Sequence, residues 1–203
     1  RFLSAMDAIK ESGIKNAATR KITGALTDAL EISLDNVPVF NGRTLVVLDD
    51  SGSMTWGGHR KDKKSPIEIG SIFAAMLYKS NDADLMRFSD NASYVKPNHR
   101  NAAMDIADGL AKKARSGGTN FHSIFETAKE AYDRIIILSD MQGWVGGYTP
   151  KKAFAGYKKR TGADPFIYSF DLNGYGSLQF PENKIFALAG FSDKVFDLMS
   201  LLE

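Results

Sequence analysis

The 203-residue chain contains no cysteine. Disulfides, thiolate metal sites and thiol nucleophiles are excluded, and a reducing, cytoplasmic setting is the expectation. No run of apolar residues approaches the roughly 20 needed to cross a bilayer, so no membrane contact is expected. Charge of one sign is scarce as well. The 26 Lys and Arg stand against 24 Asp and Glu, a formal net charge of +2. So mild a balance does not by itself announce a nucleic-acid binder. Catalytic signatures are also missing. There is no G-x-S-x-G elbow for a hydrolytic serine, and the glycines near residue 50 form neither a Walker loop nor a dinucleotide fingerprint. His59, His99 and His122 have no triad or zinc spacing. A dehalogenase-type aspartate nucleophile at Asp49 would need a second Asp two residues on, where Ser51 stands. No enzymatic activity is expected.

What is present fits one α/β domain with a short extension: 43% of residues are hydrophobic and 25% charged. The chain opens on Arg1 rather than Met, so it is expected to be a fragment or a processed product. Phe2, Met6 and Ile9, then Ile22, Leu26, Ala29 and Leu30, recur at helical spacing, with Gly13 between the two stripes. Asn36-Val37-Pro38 ends that pattern. The expected division is a helical segment over 1–38 and an α/β domain over 39–203.

From Thr44 onward strand and helix signals alternate. Thr44–Leu48 and Ile135–Leu138 are short continuous apolar runs, as in strands buried on both faces of a parallel sheet. Ser65-Pro66-Ile67-Glu68 reads as a capping box with proline at the first helical position. Further strands are expected over 83–88, 92–95, 166–170 and 184–188. Further helices are expected over 103–114, from Phe121 to Ala128, over 150–161 and over 193–202. This order predicts a doubly wound, mostly parallel sheet with helices on both faces, preceded by a helical segment. Ligands of such sheets bind beyond the carboxyl ends of the strands.

Chemistry gathers at that edge. Asp49, Ser51 and Ser53 follow the first strand as D-x-S-x-S, with Gly52 expected to permit a sharp turn. Thr119 follows Gly117-Gly118 near an expected helix start, and Asp140 follows the 135–138 strand. Singly, each has an ordinary reading as a helix cap or a turn residue. Together, three loops supply five hard oxygens, a set suited to Mg²⁺, with Mn²⁺ or Ca²⁺ as alternatives, and with a coordination position open. Asp50 is an extra carboxylate that either faces away or adds negative charge. His122 reads as structural.

"VVLDDSGSM", "SGGTNF" and "IIILSDMQ" resemble the three metal-site motifs of von Willebrand factor A domains. The resemblance implies that Asp49, Ser51, Ser53, Thr119 and Asp140 hold the metal, some directly and some through water. The helical start "RFLSAMDAIKESG", the "DLNGYG" segment and the tail "FALAGFSDKVFDLM" further resemble the carboxyl-terminal part of TROVE-domain proteins, the Ro autoantigen and its bacterial relatives. That likeness implies the end of a helical-repeat ring followed by an A domain. It also implies binding of small non-coding Y-type RNA by the full-length protein, and a part in RNA quality control.

Two basic regions then gain a second reading besides a solvated face. His59, Arg60, Lys61, Lys63 and Lys64 follow the metal motif, and Lys151, Lys152, Lys158, Lys159 and Arg160 lie further on. The first group, with Trp56 and Trp144 as stacking aromatics, is the candidate RNA or partner contact. A competing function is a protein-adhesion domain of an assembly complex, the metal taking a carboxylate from a protein partner without RNA.

Overall fold

The computed structural model describes residues 2–55, 64–141, 150–174, 183–189 and 194–203. The candidate contacts Trp56, His59, Arg60, Lys61, Lys63 and Trp144 lie outside these residues. Two helices come first, α1 (Phe2–Glu11) and α2 (Ala17–Ser33). Gly13 separates them with φ +65°, a left-handed conformation that glycine adopts without steric cost. Asn16 caps α2 reciprocally with Thr19: its side chain accepts from Thr19 N at 2.9 Å, and Thr19 Oγ1 accepts from Asn16 N at 3.0 Å.

The strands are β1 (Thr44–Asp49), β2 (Ala83–Phe88), β3 (Ala92–Val95), β4 (Arg134–Ser139), β5 (Phe166–Asp171) and β6 (Ile185–Ala189). They form one sheet in the order β3-β2-β1-β4-β5-β6, with β3 alone antiparallel. Between and after them run α3 (Gly52–Thr55), α4 (Pro66–Ser80), α5 (Ala103–Lys112), α6 (His122–Thr127), α7 (Pro150–Thr161) and α8 (Lys194–Leu202). The doubly wound architecture is as expected from the apolar runs.

Successive strand residues point to opposite faces, so each central strand feeds two cores. Val46, Leu48, Ile136 and Leu138 pack with α4, α5 and Met199 of α8. Leu45, Val47, Ile135 and Ile137 pack on the other side with Ile124 and Phe125 of α6 and Phe154 and Tyr157 of α7. Met6 of α1 and Leu30 of α2 join the first core. Charge reinforces that attachment: Lys79 pairs with Glu31 at 2.6 Å, and Glu31 also accepts from the Ala103 amide at the start of α5. At the start of α4, Glu68 accepts from Ser65 N at 2.9 Å, as the capping motif predicts, and also from Ser65 Oγ at 2.8 Å.

The helix expected from Phe121 to Ala128 is shorter, His122–Thr127. Its last carbonyls are captured from outside. Arg160 Nη2 donates to Phe125 O at 2.7 Å and Ala128 O at 2.8 Å, while Lys129 N donates to Tyr94 Oη at 3.2 Å. Among the described residues no helix is long and apolar enough to cross a membrane.

Candidate metal centre

The carboxyl ends of β1 and β4 lie side by side, and the five predicted oxygens come from there and from the neighbouring loop. Asp49 is the last residue of β1, Ser51 and Ser53 lie in the turn entering α3 and within it, and Asp140 follows β4 directly. Thr119 sits in the α5–α6 loop, three residues before the helix rather than at its start. Asp49, Ser51, Thr119 and Asp140 are all buried.

Local bonds order the first motif. Ser51 N donates to Asp49 Oδ1 at 2.9 Å, and the Ser51 and Ser53 hydroxyls stand 3.3 Å apart. Ser139 Oγ donates to Asp49 Oδ2 at 2.6 Å while accepting from Met141 N at 2.9 Å, which ties β1 to the loop carrying Asp140. Asp49 therefore receives neutral donors, and among the described residues no Lys or Arg forms an ion pair with it. Burial pushes its carboxyl up to about 7, the Ser139 and Ser51 hydrogen bonds oppose the shift, and neighbouring Asp140 adds to it. An acid so placed gains from a cation.

Glycines let the loops meet. Gly52 N donates to Gly117 O at 2.8 Å, and a Cβ on Gly52 would stand 3.3 Å from Ser116 O. Gly52 does not have a positive φ, so close approach to the 116–117 backbone, and not a special turn, is its role. A Cβ on Gly117 would fall 2.2 Å from Asp90 Oδ2. Asp90 in turn accepts from Gly118 N at 2.9 Å, and Asn120 N donates to Ser89 O at 2.8 Å. The Thr119 loop is thus held from both sides.

Asp50 faces away from the candidate ligands and into two arginines, Arg87 and Arg115. It does not lend free negative charge to the site. Arg87, Arg115, Asp90 and Ser139 are the site's supports that sequence reasoning missed. One signal was present: an arginine inside the apolar strand sequence ADLMRF needs a buried partner. Lys64, the one described member of the basic contact group, pairs with Asp7 and, at 3.3 Å, with Glu68. Its charge is therefore engaged within the fold. His122 is buried on α6.

The donors fit a hard divalent cation: two buried carboxylates and three hydroxyls, all oxygen. Among the described residues no three His, Asp or Glu side chains cluster, so coordination at this edge would draw on hydroxyls, backbone carbonyls or water besides the carboxylates.

A family model described as the Ro60 vWA domain matches residues 43–201, more than half of the chain. The chain belongs to the Ro60 vWA domain family. No curated protein matches it by sequence. Among solved structures, the Ro protein (RSR) of Deinococcus radiodurans superposes with a TM-score of 0.68 at 19% identity, covering 90% of this chain and 38% of that one. Proximal thread matrix protein 1 of the mussel byssus superposes with a TM-score of 0.51 at 18% identity, covering 79% and 46%. An aerotolerance-related membrane protein from Bacteroides fragilis gives a TM-score of 0.51 at 12% identity, covering 78% and 96%. These likenesses show a shared fold. The chain spans 38% of the deinococcal chain's length.

Proposed function

We propose that this chain is the metal-dependent recognition domain of a Ro-like protein. That protein binds small non-coding, Y-type RNA and takes part in RNA quality control in the cytoplasm. The segment 1–38 is, on this reading, the end of a helical-repeat region that makes most of the RNA contact, and 39–203 is the A domain. Asp49, Ser51, Ser53, Thr119 and Asp140 hold the cation, Mg²⁺ first and Mn²⁺ or Ca²⁺ as alternatives. The cation supplies a Lewis-acidic position that a partner's carboxylate can fill. The domain performs no catalysis.

The observation that carries the reading is the environment of Asp49: a fully buried carboxylate met by an amide and a hydroxyl, beside Asp140, in a Ro60-type domain. Lys64, held by Asp7 and Glu68, supports a modest share of RNA contact for this part alone. Weak, salt-sensitive RNA binding by these 203 residues is therefore expected. Tight, salt-resistant binding would contradict it.

The test recovers RNA and protein bound to the full-length protein and compares wild type with Asp49→Ala, with melting curves for both. The reading expects RNA retained and a protein partner lost from a folded variant. Recovery of protein but no RNA from wild type would favour a protein-adhesion domain without an RNA role.

A further inference from the structure

Asp49 and Asp50 are consecutive and both fully buried, yet their surroundings are opposite. Neighbouring residues at a strand end project to opposite sides. Asp49 meets neutral donors. Asp50 meets two guanidinium groups. Arg87 Nε of β2 donates to Asp50 Oδ2 at 2.9 Å, and Arg87 Nη2 reaches both Oδ2 and Lys113 O. Arg115 Nε donates to Oδ2 at 3.0 Å and its Nη2 to Oδ1 at 3.0 Å, a two-pronged pairing that fixes direction as well as distance.

Arg115 lies at the start of the loop that carries Thr119. Immediately after it, Ser116 takes φ +56°, a left-handed conformation that costs a non-glycine residue about 1 kcal/mol or more. Such a conformation persists where the surroundings over-determine it. Here they do: Ser116 N donates to Asp50 O at 3.0 Å, and Gly117 O accepts from Gly52 N at 2.8 Å. The backbone of the first metal motif and the backbone of the Thr119 loop are thereby joined on either side of the Asp50–Arg115 pair.

We propose that Asp50 and Arg115 are positioning residues for the metal site. The pair sets the 115–119 loop so that the Thr119 hydroxyl meets the ligands of the Asp49 motif, and Arg87 keeps Asp50 neutralised while it does so. This inference rests on the metal reading of the site. It assigns Asp50 a mechanical task in place of an electrostatic one. Removing Arg115 leaves Arg87 on the buried carboxylate, and the Arg115 side chain is itself one-third exposed, so the fold is expected to survive.

The experiment is a Mn²⁺ titration of the whole chain, with the melting temperature of each metal-free variant recorded alongside. The proteins are wild type, Arg115→Gln, Arg115→Lys, Thr119→Ala and the Arg115→Gln/Thr119→Ala double variant. Arg115→Gln is expected to weaken Mn²⁺ binding about tenfold, the scale seen when groups that orient metal ligands are lost. Arg115→Lys is expected to recover part of that loss. In the Thr119→Ala background, Arg115→Gln is expected to cost nothing further, because its route to the metal is already gone. An Arg115→Gln effect within about twofold of wild type, or one that adds fully to that of Thr119→Ala, overturns the proposal. Absence of Mn²⁺ binding by wild type overturns the metal reading itself, and the positioning role with it.

Discussion

Two sites on the sheet treat charge in opposite ways: the amino end around Arg134, and the Asp49 pocket at the carboxyl end. At the amino end, Arg134 is buried at the start of β4, pairs with Glu203, donates to Thr44 Oγ1 at 3.1 Å and lies 4.1 Å over the Phe40 ring. Tyr168 also donates to Glu203 at 3.1 Å. Asp84 receives Arg43 at 3.0 Å and the Tyr132 hydroxyl at 2.8 Å. Burial, the hydrogen bond with the Tyr94 hydroxyl and neighbouring Asp84 raise the phenol of Tyr132 far above its usual range, keeping it a neutral donor. Glu203 and Asp84 each have a cation within the fold. At the carboxyl end Asp49 is met by an amide and a hydroxyl. The amino end is complete in itself; Asp49, unlike its neighbour Asp50, has no cation partner among the described residues, and the proposal is that one comes from outside.

The largest expected effect breaks the complete end. Arg134→Ala removes a buried side chain that pairs with Glu203, donates to Thr44 and covers Phe40, and should cost about 3 kcal/mol in denaturant unfolding. A cost below about 1 kcal/mol would place that pair among ordinary surface contacts.

The second effect has the opposite sign. A carboxyl with a raised folded-state pKa favours folding in its protonated form. Its contribution is present below the ordinary carboxylate pKa and is lost as pH rises toward about 7. Asp49→Asn should therefore stabilise the metal-free domain at pH 8 by about 2 kcal/mol and do little at pH 4. Chemical unfolding at the two pH values checks it, and destabilisation at both would show that Asp49 is a structural acid like Asp84. The same proton competes with metal. Mn²⁺ affinity of wild type should be flat above about pH 7 and fall up to about tenfold for each pH unit below it.

The smallest effect is a control for surface charge. Lys112→Ala removes an exposed i,i+4 pair with Asp108 at 3.4 Å and should change stability by less than about 0.5 kcal/mol.

Much of this was legible in the chain. The runs LVVL and IIIL are too continuously apolar to have a solvated face, and they are the central strands β1 and β4. The five candidate oxygens could be proposed from sequence because they follow strands or a glycine pair, which a parallel sheet carries to one edge. What could not be read was long in range. The partners of Asp50 lie 37 and 65 residues away, and no local pattern tells an acid that will meet arginines from one that will meet hydroxyls. The early end of α6 was hidden for the same reason, since Arg160 reaches its carbonyls from another helix. Gly52 was read as a turn former because neighbouring residues suggested one, but its constraint comes from the backbone of residues 116 and 117.

The most direct test of the contrast between the two ends is a calorimetric titration of Mn²⁺ into the purified chain at pH 8, wild type against Asp49→Asn. One saturable site is expected in wild type and none in the variant, with both proteins folded. Equal binding by the two, or no saturable binding by wild type, would contradict it.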